Sequence, residues 1–136
     1  MRILSVGLGG VLGALARYYI YVPLNSNLSF PLGTLTVNLA GSFFLAFFLT
    51  VALRHLYNRS FLVLAVSTGF TGAFTTFSAV SVEAVNLASK DPFLCLTYLA
   101  ASFFAGLGLA FAGRYLGKLV SASITDKFGG EAGGIE

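Results

Sequence analysis

The stretch Ser67-Thr-Gly-Phe-Thr-Gly-Ala-Phe-Thr-Thr-Phe-Ser78 puts two glycines and four threonines inside an apolar segment of membrane length. This composition argues against a regular helix. Backbone carbonyls freed at membrane depth survive only when buried in protein or lining a cavity, so an irregular backbone here points to an ion site. On either side the chain is uniformly apolar. Of 136 residues 57% are hydrophobic and 10% charged, too few charges to cover an apolar surface in water.

Four apolar runs, 3–22, 31–53, 61–88 and 92–116, are each long enough to cross ~30 Å of hydrocarbon as a helix. Their continuous apolarity, without strict alternation, favours helices over an outer-membrane barrel. The reading is an all-α, multi-pass membrane protein with one four-helix domain, 1–117, and both ends on one side. Residues 118–136 are expected to be a disordered polar, Gly-rich tail. The first run is read as a retained span, since Arg17 interrupts it and its basic flank is only Arg2.

The net charge of +3 is scattered over the span ends, with no basic patch interleaved with aromatics, so nucleic acid is not implied. Cys95 stands alone within the fourth run, and His55 is the sole histidine, between the second and third. With no Cys/His cluster and no paired carboxylates in the spans, the sequence excludes ordinary hydrolytic or transition-metal catalysis, and the protein reads as a non-enzyme. Asn27-Leu-Ser and Asn58-Arg-Ser fit a glycosylation pattern that arises this often by chance.

Gly9 and Gly13 in the first run, and Gly113 and Gly117 in the fourth, have the four-residue spacing that lets helix backbones approach. Thr34, Asn38 and Ser42 share one helical face; Tyr98 and Ser102 share another, and Ser78 and Ser81 lie three apart. A lone hydroxyl in a membrane helix usually bonds back to its own backbone, but a carboxamide such as Asn38 has four valences to fill. Glu83 lies well inside the third run, where a carboxylate is a functional candidate by default. It can be protonated, paired with Arg17 of the same or another subunit, or open to a wet vestibule. Arg17 can equally snorkel to the interface, and Lys90 and Asp91 are boundary residues.

Hydroxyls, one carboxamide, glycine-exposed backbone and phenyl rings suit a small, hard anion. Amide and hydroxyl hydrogens can replace its hydration, and a phenyl edge carries the positive end of the ring quadrupole. Phe70, Phe74 and Phe77 flank the glycine-threonine stretch, though packing is the commoner use of such rings. The same broken backbone could instead aim carbonyls at a cation.

Three segments, Gly10-Val-Leu-Gly-Ala-Leu-Ala-Arg-Tyr18, Gly33-Thr-Leu-Thr-Val-Asn-Leu-Ala-Gly-Ser-Phe43 and Gly69-Phe-Thr-Gly-Ala-Phe-Thr-Thr-Phe-Ser78, together resemble the CrcB/Fluc family of fluoride channels, over residues 7 to about 117. The resemblance implies passive, selective fluoride export across the cytoplasmic membrane of a prokaryote. It also implies an antiparallel, dual-topology homodimer with two fluoride pathways, a third helix broken near its centre, and one structural sodium ion on the two-fold axis. By motif position the carbonyls of Gly72 and Thr75 would hold the sodium, and Asn38 and Phe77 would line the fluoride pathway. Thr34, Ser78, Ser81, Tyr98 and Ser102 fall where further polar lining is expected, and Arg17 and Glu83 match the family's first-span arginine and third-span glutamate. The family's second pore phenylalanine is Val80 here, so either the pathway tolerates its loss or a neighbour such as Phe74 compensates.

Three rival readings remain, one of them a membrane assembly subunit that transports no ion. Six basic residues (Arg2, Arg54, Arg59, Arg114, Lys118, Lys127) lie on the side of the termini against Arg17 and Lys90 opposite, a bias that favours one orientation and a partner of opposite topology. A proton-coupled small multidrug transporter also has four short spans, but it needs a first-span carboxylate that this chain lacks.

Overall fold

The computed structural model describes residues 2–25, 30–56 and 58–129. Six α-helices follow in order: α1 (Arg2–Asn25), α2 (Leu32–His55), α3 (Ser60–Leu64), α4 (Gly72–Phe74), α5 (Phe77–Lys90) and α6 (Pro92–Gly129). A π-helical turn, Ala65–Thr71, joins α3 to α4. Together α3, the π turn, α4 and α5 occupy the third apolar run, giving four helical segments long and apolar enough to cross a membrane. The large side chains left outside, such as Ile3, Phe77, Phe93 and Phe104, form the apolar outer surface that hydrocarbon or another subunit can cover.

Local chemistry sets the ends. Asp91 caps α6: its Oδ1 accepts the amides of Phe93 and Leu94, each at 3.0 Å, while Pro92 takes the first helical position, where no amide is needed. The last turn of α2 carries Arg54, a cation suited to a helix C-terminus. Thr76 caps α5 by accepting the Ala79 amide at 3.3 Å.

Helix α6 departs from expectation. The segment expected to be a disordered tail continues the helix as far as Gly129, so α6 has 38 residues and a length of about 57 Å. The physical reason lies in its partner: Ser121 is fully buried and its hydroxyl meets His55 Nε2 at 2.8 Å, pinning the extension to the end of α2. Residues 130–136 of that tail and the Asn27 sequon lie outside the described residues.

Glycine lets backbones meet along two seams. A β carbon at Gly9 or Gly13 would run into the backbone of Ala65 or Phe70, and one at Gly69 into that of Val6, so α1 and the π turn nest directly on each other. On α6, Gly113 faces the Phe43 backbone and Gly117 faces Phe47 and Thr50, closing α6 on α2. Both sequence pairs thus act as contact surfaces. A smaller core of Val80, Leu87, Cys95 and Tyr98 locks α5 to α6.

Candidate functional site at the interrupted third span

Helix α4 stops at Phe74 and α5 starts at Phe77; between them Thr75 (φ −81°, ψ 159°) and Thr76 (φ −150°, ψ 121°) are extended. A side chain from another helix holds this interval. Asn38, in the second turn of α2, accepts the Thr76 amide through Oδ1 at 2.8 Å and donates Nδ2 to the Thr76 carbonyl at 2.9 Å. The carboxamide thereby pairs with one residue of extended backbone as a neighbouring strand would. One N–H and one lone pair of Asn38 remain for something else.

The interruption diverts backbone amides from their helical acceptors. In a continuous helix the Thr76 amide would bond the Gly72 carbonyl and the Ala79 amide the Thr75 carbonyl. Here the first goes to Asn38 Oδ1 and the second to Thr76 Oγ1. Gly72 and Thr75 are thus the outer two of four residues, 72–75, whose carbonyls the break leaves without their helical donors. Space accompanies this at Gly72, where an added β carbon would meet no atom within 4 Å. Two backbone oxygens without formal charge are a donor set that fits a hard monovalent cation.

Next to the clamp is a cavity of about 270 Å³ lined by Asn38, Gly41, Ser42, Leu45, Thr71, Thr75, Thr76 and Phe77. The structure thus brings Asn38 and Phe77 to one space, with the Phe77 ring 83% exposed and free of packing duties. Phe74 is different: it is buried and stacked on Phe70, ring centres 5.6 Å apart, so within this chain its ring is spent on packing. Val80 points into the α5–α6 core against Tyr98 and Cys95.

A second polar cluster centres on Glu83, six residues and about 9 Å along α5 from Phe77. Its Oε1 accepts from Thr34 Oγ1 at 2.6 Å and Asn25 Nδ2 at 3.1 Å, and its Oε2 accepts from Tyr98 at 2.8 Å. Thr34 and Tyr98 are both fully buried. Three neutral donors satisfy the carboxylate, and Arg17 of the same chain is not among them. Arg17 instead lines a separate cavity of about 400 Å³ with Tyr18, Tyr21, Thr76 and Ser78.

The remaining hydroxyls divide. Ser42, Ser81 and Ser102 bond back to the carbonyls of Asn38, Phe77 and Tyr98, the ordinary helical use, while Ser78 meets the Thr76 hydroxyl at 3.2 Å. Sequence reasoning passed over two residues at the centre of these networks, Thr76 and Asn25. Thr76 had a signal, because threonine just before an apolar helical run is an N-cap candidate. Asn25 had none beyond its place at the end of the first apolar run.

Four helical segments of membrane length among the described residues, one of them interrupted, with a carboxamide and an exposed phenyl ring lining one cavity, define a polytopic membrane protein. The chain belongs to the CrcB family: the family model described as CrcB-like protein, Camphor Resistance (CrcB), matches residues 4–114. Among its relatives, the fluoride-specific ion channel FluC of Thermosipho melanesiensis is 39% identical over 121 residues, covering 87% of this chain and 97% of that protein. The fluoride-specific ion channel FluC 2 of Geobacillus kaustophilus is 44% identical over 116 residues, covering 83% and 90%. The fluoride-specific ion channel FluC of Thermotoga maritima is 36% identical over 118 residues, covering 85% and 93%.

Proposed function

We propose that this chain is a fluoride-selective channel that exports fluoride passively across the cytoplasmic membrane of a prokaryote. The observation that carries the identity of the ion is the 39% and 44% identity, over nearly the whole chain, to relatives named as fluoride-specific channels. The geometry agrees with it chemically. Fluoride gives up its hydration only to strong hydrogen-bond donors and positive ring edges, and Asn38 and Phe77, residues that carry such groups, line one cavity. Thr34, Ser78, Ser81, Tyr98 and Ser102 extend the polar lining, and Arg17 and Glu83 set the charge near the mouths. Chloride is larger and a weaker acceptor, so the same narrow site repays too little of its dehydration.

The working unit in this reading is an antiparallel homodimer with two pathways. The carbonyls of Gly72 and Thr75 from both subunits would hold a sodium ion at the two-fold axis. When bound, that ion would supply a fixed positive charge and tie the two interruptions together. The open space beside Gly72 and the diverted Thr76 and Ala79 amides support this assignment.

Liposomes loaded with fluoride or chloride and containing the purified protein, followed with ion electrodes, test the reading. Fluoride efflux without a proton gradient, and no chloride efflux, is expected; equal flux of the two anions would sink it. A second reading, in which the chain pairs with an oppositely oriented relative, draws on the six-to-two basic asymmetry and on Val80, which leaves position 80 without a ring. Cysteine placed at exposed Ser60, in a chain lacking Cys95, separates the two. Labelling from both membrane faces fits the homodimer, whereas labelling from one face together with absent flux fits the pair.

A further inference from the structure

Glu83 holds three donors, but they are not equivalent. The hydroxyls of Thr34 and Tyr98 can turn and accept instead, so their bonds would survive a proton on the carboxylate. Asn25 cannot reverse. Its Oδ1 accepts the Gly33 backbone amide at 2.8 Å, and an amide only donates, so the orientation of the carboxamide is fixed from the α2 side. Nδ2 must then face Glu83 Oε1, and a proton on that oxygen would set donor against donor. The contact is also tight: a β carbon on Gly33 would stand 2.9 Å from Asn25 Oδ1 and 2.8 Å from the Tyr21 carbonyl.

We propose that Asn25 is a positioning residue for Glu83, holding Oε1 as its acceptor and so fixing the carboxyl group between Asn25, Thr34 and Tyr98. This rests on the channel reading for its consequence in flux, though not for the contact itself. The site opens into a cavity of about 510 Å³ lined by Tyr21, Asn25, Pro31, Glu83, Asn86, Leu87, Lys90, Asp91 and Leu94, so Lys90, Asp91 and Tyr21 are the other charged or titratable groups near this mouth, with Tyr98 bonded from α6. Anchoring Glu83 from α1 leaves its place fixed while ions pass.

The test is a mutant cycle in fluoride-loaded liposomes. Asn25→Asp keeps an acceptor for the Gly33 amide but sets a second carboxylate against Oε1, and is expected to slow efflux about tenfold, the scale of one charge-assisted hydrogen bond. Adding Glu83→Gln supplies a donor from the other side and should recover about threefold or more of that loss, a coupling expected of residues in direct contact. A double variant no faster than Asn25→Asp alone overturns the proposal. Infrared spectra provide a readout independent of transport. The carboxylate band of Glu83, isolated as the difference from Glu83→Gln, should shift in Asn25→Leu, and an unchanged band overturns the proposal even if no variant conducts. Were the wild type to pass no fluoride, the channel reading would fall while the band still decided the role of Asn25.

Discussion

In the first half of the third span, from Ser60 to Phe74, hydroxyls bond back to their own backbone: Ser67 to the Val63 carbonyl at 2.6 Å and Thr71 to that of Val66 at 3.0 Å. In the interval that follows, a carboxamide from α2 takes both the amide and the carbonyl of Thr76. Threonine occurs in both regions, yet one is a packing seam and the other an interruption. The difference is where the backbone finds its partners. A helix whose polar groups are answered internally can bury its glycines against a neighbour, as Gly69 does against Val6. One whose amides are drawn off by another helix leaves carbonyls without their helical donors. Irregularity alone therefore marks no site, since the π turn is irregular too and serves packing.

The comparison can be broken most sharply at glycine. Gly13→Val would drive a side chain into the Phe70 backbone, at a cost of about 3 kcal/mol or more, and the monodisperse fraction on size exclusion should collapse. Gly72→Ala meets nothing within the subunit and should leave it folded. If both variants fold equally well, the seam is not a seam.

Asn38 sharpens the other side. Asn38→Leu removes both arms of the clamp, whereas Asn38→Asp keeps the acceptor for the Thr76 amide, loses the donor, and adds negative charge beside Phe77. Both should cut fluoride efflux by about tenfold or more, with Asn38→Leu also lowering thermal stability because two buried-backbone bonds go unanswered. Phe77→Ile should cost flux without stability, its ring being exposed in the subunit. Efflux at the wild-type rate from any of the three would remove that residue from the proposed pathway.

The smallest effect is expected at Ser67→Ala. Its hydroxyl serves only the Val63 carbonyl, so stability should change by about 1 kcal/mol or less and efflux by less than about twofold. A large loss of flux there would show that the first half of the span also touches the ion.

Residue chemistry alone determined the coarse answer. Four apolar runs of membrane length require helices, because hydrocarbon leaves the backbone no other partner, and glycine pairs four apart require close contacts. The placing of Asn38 as the odd polar residue of α2 was equally legible, since a carboxamide inside a membrane must be answered by something. What answers it was not: residues 38 and 76 are distant in sequence, and only the packing of α2 on the third span turns that valence into a backbone clamp. Tertiary structure likewise decided that Glu83 meets Asn25, Thr34 and Tyr98 from three other helices, that Val80 packs inward, and that residues past 117 stay helical against His55. Periodicity reports which face of a helix is polar; only the neighbouring helix decides whether that face bonds to itself, to a partner, or to an ion.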